Sequence, residues 1–92
     1  MEFNVDDSKT DMGNQMREEA INTIMEALQN EENNNQEKNI CAQIRKKFDE
    51  LHYPQWHCVM GKKFGSSVTH EKGTLIYGTT GDYGLMLWKA GQ

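Results

Sequence analysis

The stretch PQWHCVMGKKFGSSVTHE, residues 54–71, marks the point where the chain changes from a helical to an extended pattern. Pro54 ends the helical pattern because a proline cannot donate the next helical hydrogen bond. In residues 56–60, Trp, Cys and Met alternate with His and Val, a period of two that is typical of a β-strand. Gly61 allows a tight turn into a second extended run, residues 64–70. The stretch therefore predicts helices before Pro54 and strands after it.

Two segments before Pro54 carry apolar residues at helical spacing. The first stripe comprises Met16, Ala20, Ile24, Ala27 and Leu28, and the second comprises Ile40, Cys41, Ile44, Phe48 and Leu51. Asp11 is the predicted N-cap of the first helix. The polar residues 30–38 separate the helices, and Asn34 with Glu37 fits a capping-box-like start of the second. Both helices are amphipathic, so each is expected to lie on a core.

Two further extended runs follow residue 71. Residues 74–78 (TLIYG) and 83–89 (YGLMLWK) are joined by TTGD, in which Gly81 favours a hairpin turn. Together with residues 56–60 and 64–70 they make four antiparallel strands. The predicted fold class is α+β, with two helices packed on a small antiparallel β-sheet.

Length and composition restrict the domain count and the functional class. A chain of 92 residues is expected to hold one domain. Residues 1–10 show no periodicity and predict a flexible N-terminal tail, which leaves residues 11–92 as the domain. The net charge of −4 argues against a general nucleic-acid binder. No apolar run predicts a membrane span and no leader pattern predicts secretion, so we expect a cytoplasmic protein.

The cysteines and histidines do not form a pattern of catalytic or metal-binding residues. Cys41 and Cys58 are interpreted as reduced thiols that act as small hydrophobes, with a bridge between them as the open alternative. His57 and Cys58 are neighbours in a strand and point to opposite faces, so they cannot face one ligand together. The sequence has no Cys-x-x-Cys or His-x-x-x-His pair. We therefore predict no enzyme, no metal site and no cofactor.

Residues 64–71, FGSSVTHE, form an unusually polar strand. Small residues at positions 65–67 leave room, while Phe64, Val68 and His70 fall on one face and could wall a groove. A strand with small side chains and unpaired amides can accept an extended peptide as an extra strand. The alternative is an ordinary edge strand that is protected by the charged residues Lys62, Lys63, Glu71 and Lys72.

The ordered set Pro54-x-Trp56-His57-Cys58, Gly61, Phe64-Gly65-Ser66 and Val68-Thr69-His70-Glu71 resembles the eight-kilodalton light chain of cytoplasmic dynein. The resemblance extends over roughly residues 11–91 and is strongest between 54 and 71. It implies a strand-exchanged homodimer, in which residues 64–70 pair with the sheet of the partner subunit. It also implies a non-catalytic hub that binds short extended peptides, including the dynein intermediate chain, within the microtubule-associated dynein complex of the cytoplasm and cytoskeleton.

The resemblance also assigns residues to the peptide groove. The peptide edge would comprise Lys63, Phe64, Gly65, Ser66, Val68, Thr69 and His70, and the groove floor would comprise Leu75 and Tyr77. His70 would meet the threonine of a threonine-glutamine-threonine motif. Glu37 and Lys38, at the start of the second helix of the other subunit, would meet its glutamine. The dimer interface would include His57, Ser67 and Thr69.

The chain departs from the family pattern at several of these positions. Ser67 stands where an aromatic residue is usual, and residues 78–80 stand where aromatic or aliphatic residues are usual. Ala90 stands where some members carry a serine. These departures predict a divergent member. They also leave an alternative function open, that of a structural or surface-associated protein, monomeric or with lost or altered peptide specificity.

Overall fold

The computed structural model describes residues 2–62 and 68–90. Its helices are α1 (Asn14–Gln29) and α2 (Glu37–His52), and its strands are β1 (Asn4–Val5), β2 (Trp56–Lys62), β3 (Ile76–Thr80) and β4 (Tyr83–Lys89). Short 3₁₀ turns at Asp7–Lys9 and Glu31–Asn33 precede the two helices. The prediction of two helices on a small antiparallel sheet is confirmed. No helix in the described ranges has the length and apolar character needed to cross a membrane.

The strands form one antiparallel sheet in the order β1-β3-β4-β2. β3 and β4 form a hairpin, and Gly81 in its turn has a φ of 59°, a left-handed value that favours glycine. β2 pairs with β4 along its whole length, from Trp56 opposite Lys89 to Lys62 opposite Tyr83. Among the described strands, β1 and β2 are therefore the two edges.

The two helices cover one face of the sheet and enclose the core. The largest fully buried side chains come from both layers: Ile24, Ile44, Phe48, Ile76, Leu85 and Leu87. Trp56 closes one end of the core, with its ring edge-on to Phe48 at a centroid distance of 4.8 Å. Burial of each such side chain contributes about 1.5–3 kcal/mol. The predicted stripes are the faces that pack here, except that Leu51 at the end of the second stripe is 47% exposed.

The N-terminal segment is packed against the sheet, which differs from the predicted flexible tail. Asn4 and Val5 pair with Thr79 and Gly78 of β3, and Phe3 is buried in the core with 8% exposure. The ring of Phe3 lies directly over Gly78, where an added Cβ would be 2.5 Å from the ring. A two-residue strand has no detectable period, which is why the sequence pattern does not show it.

Both predicted helix caps are wrong. Gly13 precedes α1 and Gln36 precedes α2, and neither provides a side-chain capping bond. The carboxylate of Asp11 binds backbone groups near β3 instead of capping α1. Asn34 ends a 3₁₀ turn in the left-handed conformation, with a φ of 53°.

The predicted strand at residues 64–70 is only partly within the described part of the chain. Residues 63–67 lie outside it, and residues 68–70 belong to no strand. Among the described residues, the fourth strand of the sheet is β1. A strand that pairs with a second subunit would find no such pairing within a single chain.

Candidate functional site

Asp11 holds the segment that leads into β3. Its Oδ1 accepts a hydrogen bond from the backbone N–H of Leu75 at 2.9 Å, and its Oδ2 accepts one from Gly73 at 3.1 Å. The backbone N–H of Asp11 donates to the carbonyl of Leu75 at 2.9 Å. Partial burial opposes ionisation, but the Leu75 and Gly73 amides and His70 lower the pKa of Asp11 overall. Asp11 is thus an ionised clamp on residues 70–75.

His70 is fixed by the same carboxylate. Its Nε2 lies 3.0 Å from Asp11 Oδ2, and its Nδ1 lies 3.4 Å from the carbonyl of Val68. A carboxylate can only accept, so Nε2 carries a proton and donates it. The long contact to Val68 leaves Nδ1 as the weakly engaged nitrogen. His70, predicted to contact a peptide, therefore has an oriented ring.

Only part of the predicted peptide edge lies within the residues that the structure describes. Lys63, Phe64, Gly65, Ser66 and Ser67 lie outside the described residues. Val68 and His70 are half-buried and Thr69 is exposed, and none of the three lies in a strand. The predicted arrangement along residues 64–70 stays a prediction.

Leu75 and Tyr77, the predicted groove floor, lie where the N-terminal segment crosses the sheet. Tyr77 in β3 is 5% exposed, and its backbone N–H donates to Thr10 Oγ1 at 3.1 Å. The carbonyl of Tyr77 accepts from the backbone N–H of Asp6 at 2.8 Å, and the amine of Lys9 lies 5.0 Å from the ring centroid. Tyr77 is therefore held in place by residues that the sequence assigns to a tail.

Glu37 and Lys38 line a groove between α2 and the edge strand β2. This α2–β2 groove has a volume of about 380 Å³, and its walls are Glu37, Lys38, Cys41, Arg45, Cys58, Val59 and Met60. His70 is not among its lining residues. The residues expected to meet the threonine and the glutamine of one peptide motif thus lie in separate places within one chain. This separation is what a groove shared between two subunits requires.

The sheet face opposite the helices carries a second group of apolar residues, here called the outer face. The His57 ring stacks on Trp88 at 5.4 Å, and Val59 lies next to Met86 in the strand register. Val59 is 47% exposed. His57, predicted at the dimer interface, therefore lies on the exposed side of the edge strand β2.

Sequence reasoning missed the role of Asp11 because its contacts join residues far apart in the chain. It binds His70 and Leu75 across separations of 59 and 64 residues. A contact between residues so far apart in the chain produces no periodic pattern in the sequence. Within residues 2–62 and 68–90, no three His, Cys, Asp or Glu side chains are grouped to hold a metal ion.

Comparison with known proteins agrees with this geometry. The model of the family Dynein light chain type 1 matches residues 5–90. Two solved structures of the dynein light chain-like domain of the Fasciola hepatica calcium binding protein FhCaBP2 are similar in fold, each with a TM-score of 0.78 and 16% sequence identity. The alignment with the mercury derivative covers 100% of this chain and 95% of the matched chain. The alignment with the native crystal structure covers 97% of this chain and 91% of the matched chain. The match over residues 5–90 shows that the chain belongs to the dynein light chain family.

Proposed function

We propose that the protein is a non-catalytic, homodimeric light chain that binds short extended peptides of partner proteins by β-strand addition. The observation that carries the proposal is the position of β2. It is an edge strand, and the groove beside it contains Glu37 and Lys38. The open edge of β2 can pair with a strand from a second subunit, and the free side of that strand can in turn take up a peptide.

The proposed homodimer is supported by the same open edge of β2. β2 pairs with β4 on one side, and its other side is open to a further strand among the described elements. Residues 68–70 belong to none of the described strands of their own chain. In a two-fold dimer, each copy would place residues 64–70 beside β2 of the other. Val59 and His57 on the outer face would then be covered by the partner.

The peptide would pair with the free side of the segment at residues 63–70. With Nε2 of His70 bound to Asp11, the more weakly held Nδ1 is the nitrogen left to meet the hydroxyl of a threonine. Glu37 and Lys38, contributed by the other subunit, would meet the glutamine of the motif. Leu75 and Tyr77 would form the floor. Each dimer would present two grooves, so bivalent partners would gain affinity through avidity.

The natural partners proposed for this site are the dynein intermediate chain and other proteins with short linear motifs. This proposal is supported by membership of the dynein light chain family. The proposed location is the cytoplasm, in the dynein complex on microtubules. The alternative, a structural or surface-associated family member, would keep the fold without using the groove.

Calorimetry with a peptide that carries a threonine-glutamine-threonine core tests the proposal. We expect binding, and we expect Lys38→Ala to weaken it while Lys47→Ala, a matched exposed lysine on the same helix, leaves it unchanged. His70→Ala should also weaken binding. Absence of binding at high micromolar peptide, together with a monomer in light scattering, would favour the structural alternative.

A further inference from the structure

Cys41 and Cys58 meet across the contact between α2 and β2. Cys41 is 7% exposed, and Cys58 is half-buried on the strand face that packs against the core. Both side chains line the α2–β2 groove, and each is close enough to shift the pKa of the other. Contact between two free thiols is the first geometric requirement for a disulfide.

The surroundings make the two thiols unequal. The hydrogen bond from Cys58 lowers the pKa of Cys41, and the charge of Arg45 adds to this effect, although burial and Glu37 oppose it. Burial, together with the hydrogen bond to Cys41, raises the pKa of Cys58. Cys41 therefore ionises first. Since the thiolate is the reactive form of cysteine, Cys41 is the nucleophile of the pair.

The groove gives a small oxidant access to this nucleophile. Glu37, Cys41 and Arg45 are spaced four residues apart and so lie along one side of α2. All three line the groove of about 380 Å³. Glu37 and Arg45 are exposed, so the groove opens to solvent beside the buried Cys41. A molecule the size of hydrogen peroxide fits within it.

We propose that Cys41 and Cys58 are a redox-active pair that hydrogen peroxide converts into an intramolecular disulfide. The Cys41 thiolate attacks one peroxide oxygen, the O–O bond breaks, and the departing hydroxide leaves as water after protonation. Cys41 is then a sulfenic acid. The Cys58 sulfur attacks the Cys41 sulfur, the S–O bond breaks, and the hydroxide leaves as water with the Cys58 proton. Two thiols lose two electrons, and the peroxide is reduced to two waters.

The test treats the reduced 92-residue chain with hydrogen peroxide, blocks the remaining thiols by alkylation and measures the intact mass. The chain has only two cysteines, so the expected product is a single chain lighter by two hydrogens that accepts no alkylating group. Trypsin should then release residues 39–45 linked to residues 48–62, and dithiothreitol should separate them. A disulfide found only between two chains would overturn the proposal.

Two serine variants test the assigned order of the steps. Cys58→Ser should stop at the sulfenic acid of Cys41, which a 1,3-diketone reagent traps. Cys41→Ser should consume peroxide about tenfold more slowly, or slower still, because its remaining thiol is less ionised. Circular dichroism establishes that both variants are folded. Equal rates in the two variants, or thiols that stay free while a small thiol is consumed in the same solution, would also overturn the proposal.

Discussion

Asp11 and His70 are 59 residues apart in the chain, yet Asp11 Oδ2 lies 3.0 Å from His70 Nε2. The same carboxylate binds the backbone of Gly73 and Leu75. One side chain from the N-terminal segment therefore sets both the start of β3 and the orientation of the histidine in the proposed groove.

Replacement of Asp11 should destabilise the fold. Asp11→Ala removes the acceptor of two backbone N–H groups and of His70. Hydrogen bonds to charged groups contribute more than neutral ones, but this site is partly exposed, so we expect a loss of about 1–2 kcal/mol in the free energy of unfolding. Urea denaturation measures it, with the exposed Glu18→Ala on α1 as the control. An equal effect of the two variants would show that the clamp contributes nothing specific.

The Asp11 clamp should also make stability depend on pH. The pKa of Asp11 is lowered from the ordinary value of 3.8. The contribution of its carboxylate to the free energy of unfolding is therefore fully present above that value and is lost as the pH falls through the folded-state pKa. We expect the wild-type free energy of unfolding to fall more steeply below about pH 4 than that of Asp11→Ala. Denaturation curves measured from neutral pH downward provide the comparison. Parallel curves for the two proteins would contradict the assignment.

Phe3 and Gly78 should behave as one packing unit. In Gly78→Ala, the new Cβ would be 2.5 Å from both the Phe3 ring and the Asn4 carbonyl, so β1 must shift at a cost of about 1–3 kcal/mol. Phe3→Ala loses about 1.5–3 kcal/mol of burial. The double variant should lose less than the sum, because both changes release the same segment.

Gly13→Ala is the control for the glycine substitution. An added Cβ at Gly13 meets nothing within 4 Å, and as a change at an N-cap it should cost less than about 1 kcal/mol. Strict additivity of the Phe3 and Gly78 variants would show that the N-terminal segment packs independently of β3.

A charge on the outer face should separate the proposed dimer. Val59 on β2 and Leu51 on α2 are both 47% exposed, so they form a matched pair. Val59→Asp should raise the dimer dissociation constant at least about tenfold, which corresponds to about 1.4 kcal/mol, while Leu51→Asp should not. Sedimentation equilibrium measures both. Dissociation by Leu51→Asp alone would place the interface on α2 instead.

The sequence predicts the parts of this fold that repeat at short range. The stripe from Met16 to Leu28 and the alternation of residues 56–60 identify a helix and a strand because each repeats a local geometry. β1 is too short to show a period. The partners of Asp11 and the contact between Cys41 and Cys58 arise from tertiary packing. For the proposed groove, the family resemblance supplied the residues, and the structure added the Asp11–His70 contact that orients one of them.

The two tryptophans occupy different surroundings, and this gives the protein two built-in optical reporters. Trp56 is 3% exposed against Phe48, whereas Trp88 is half-buried beside His57 on the outer face. The emission of Trp56 will follow loss of the core during unfolding. The emission of Trp88 will respond to whatever covers or uncovers the outer face. Single-tryptophan variants would thus record assembly and unfolding as separate signals in one sample, without an added dye.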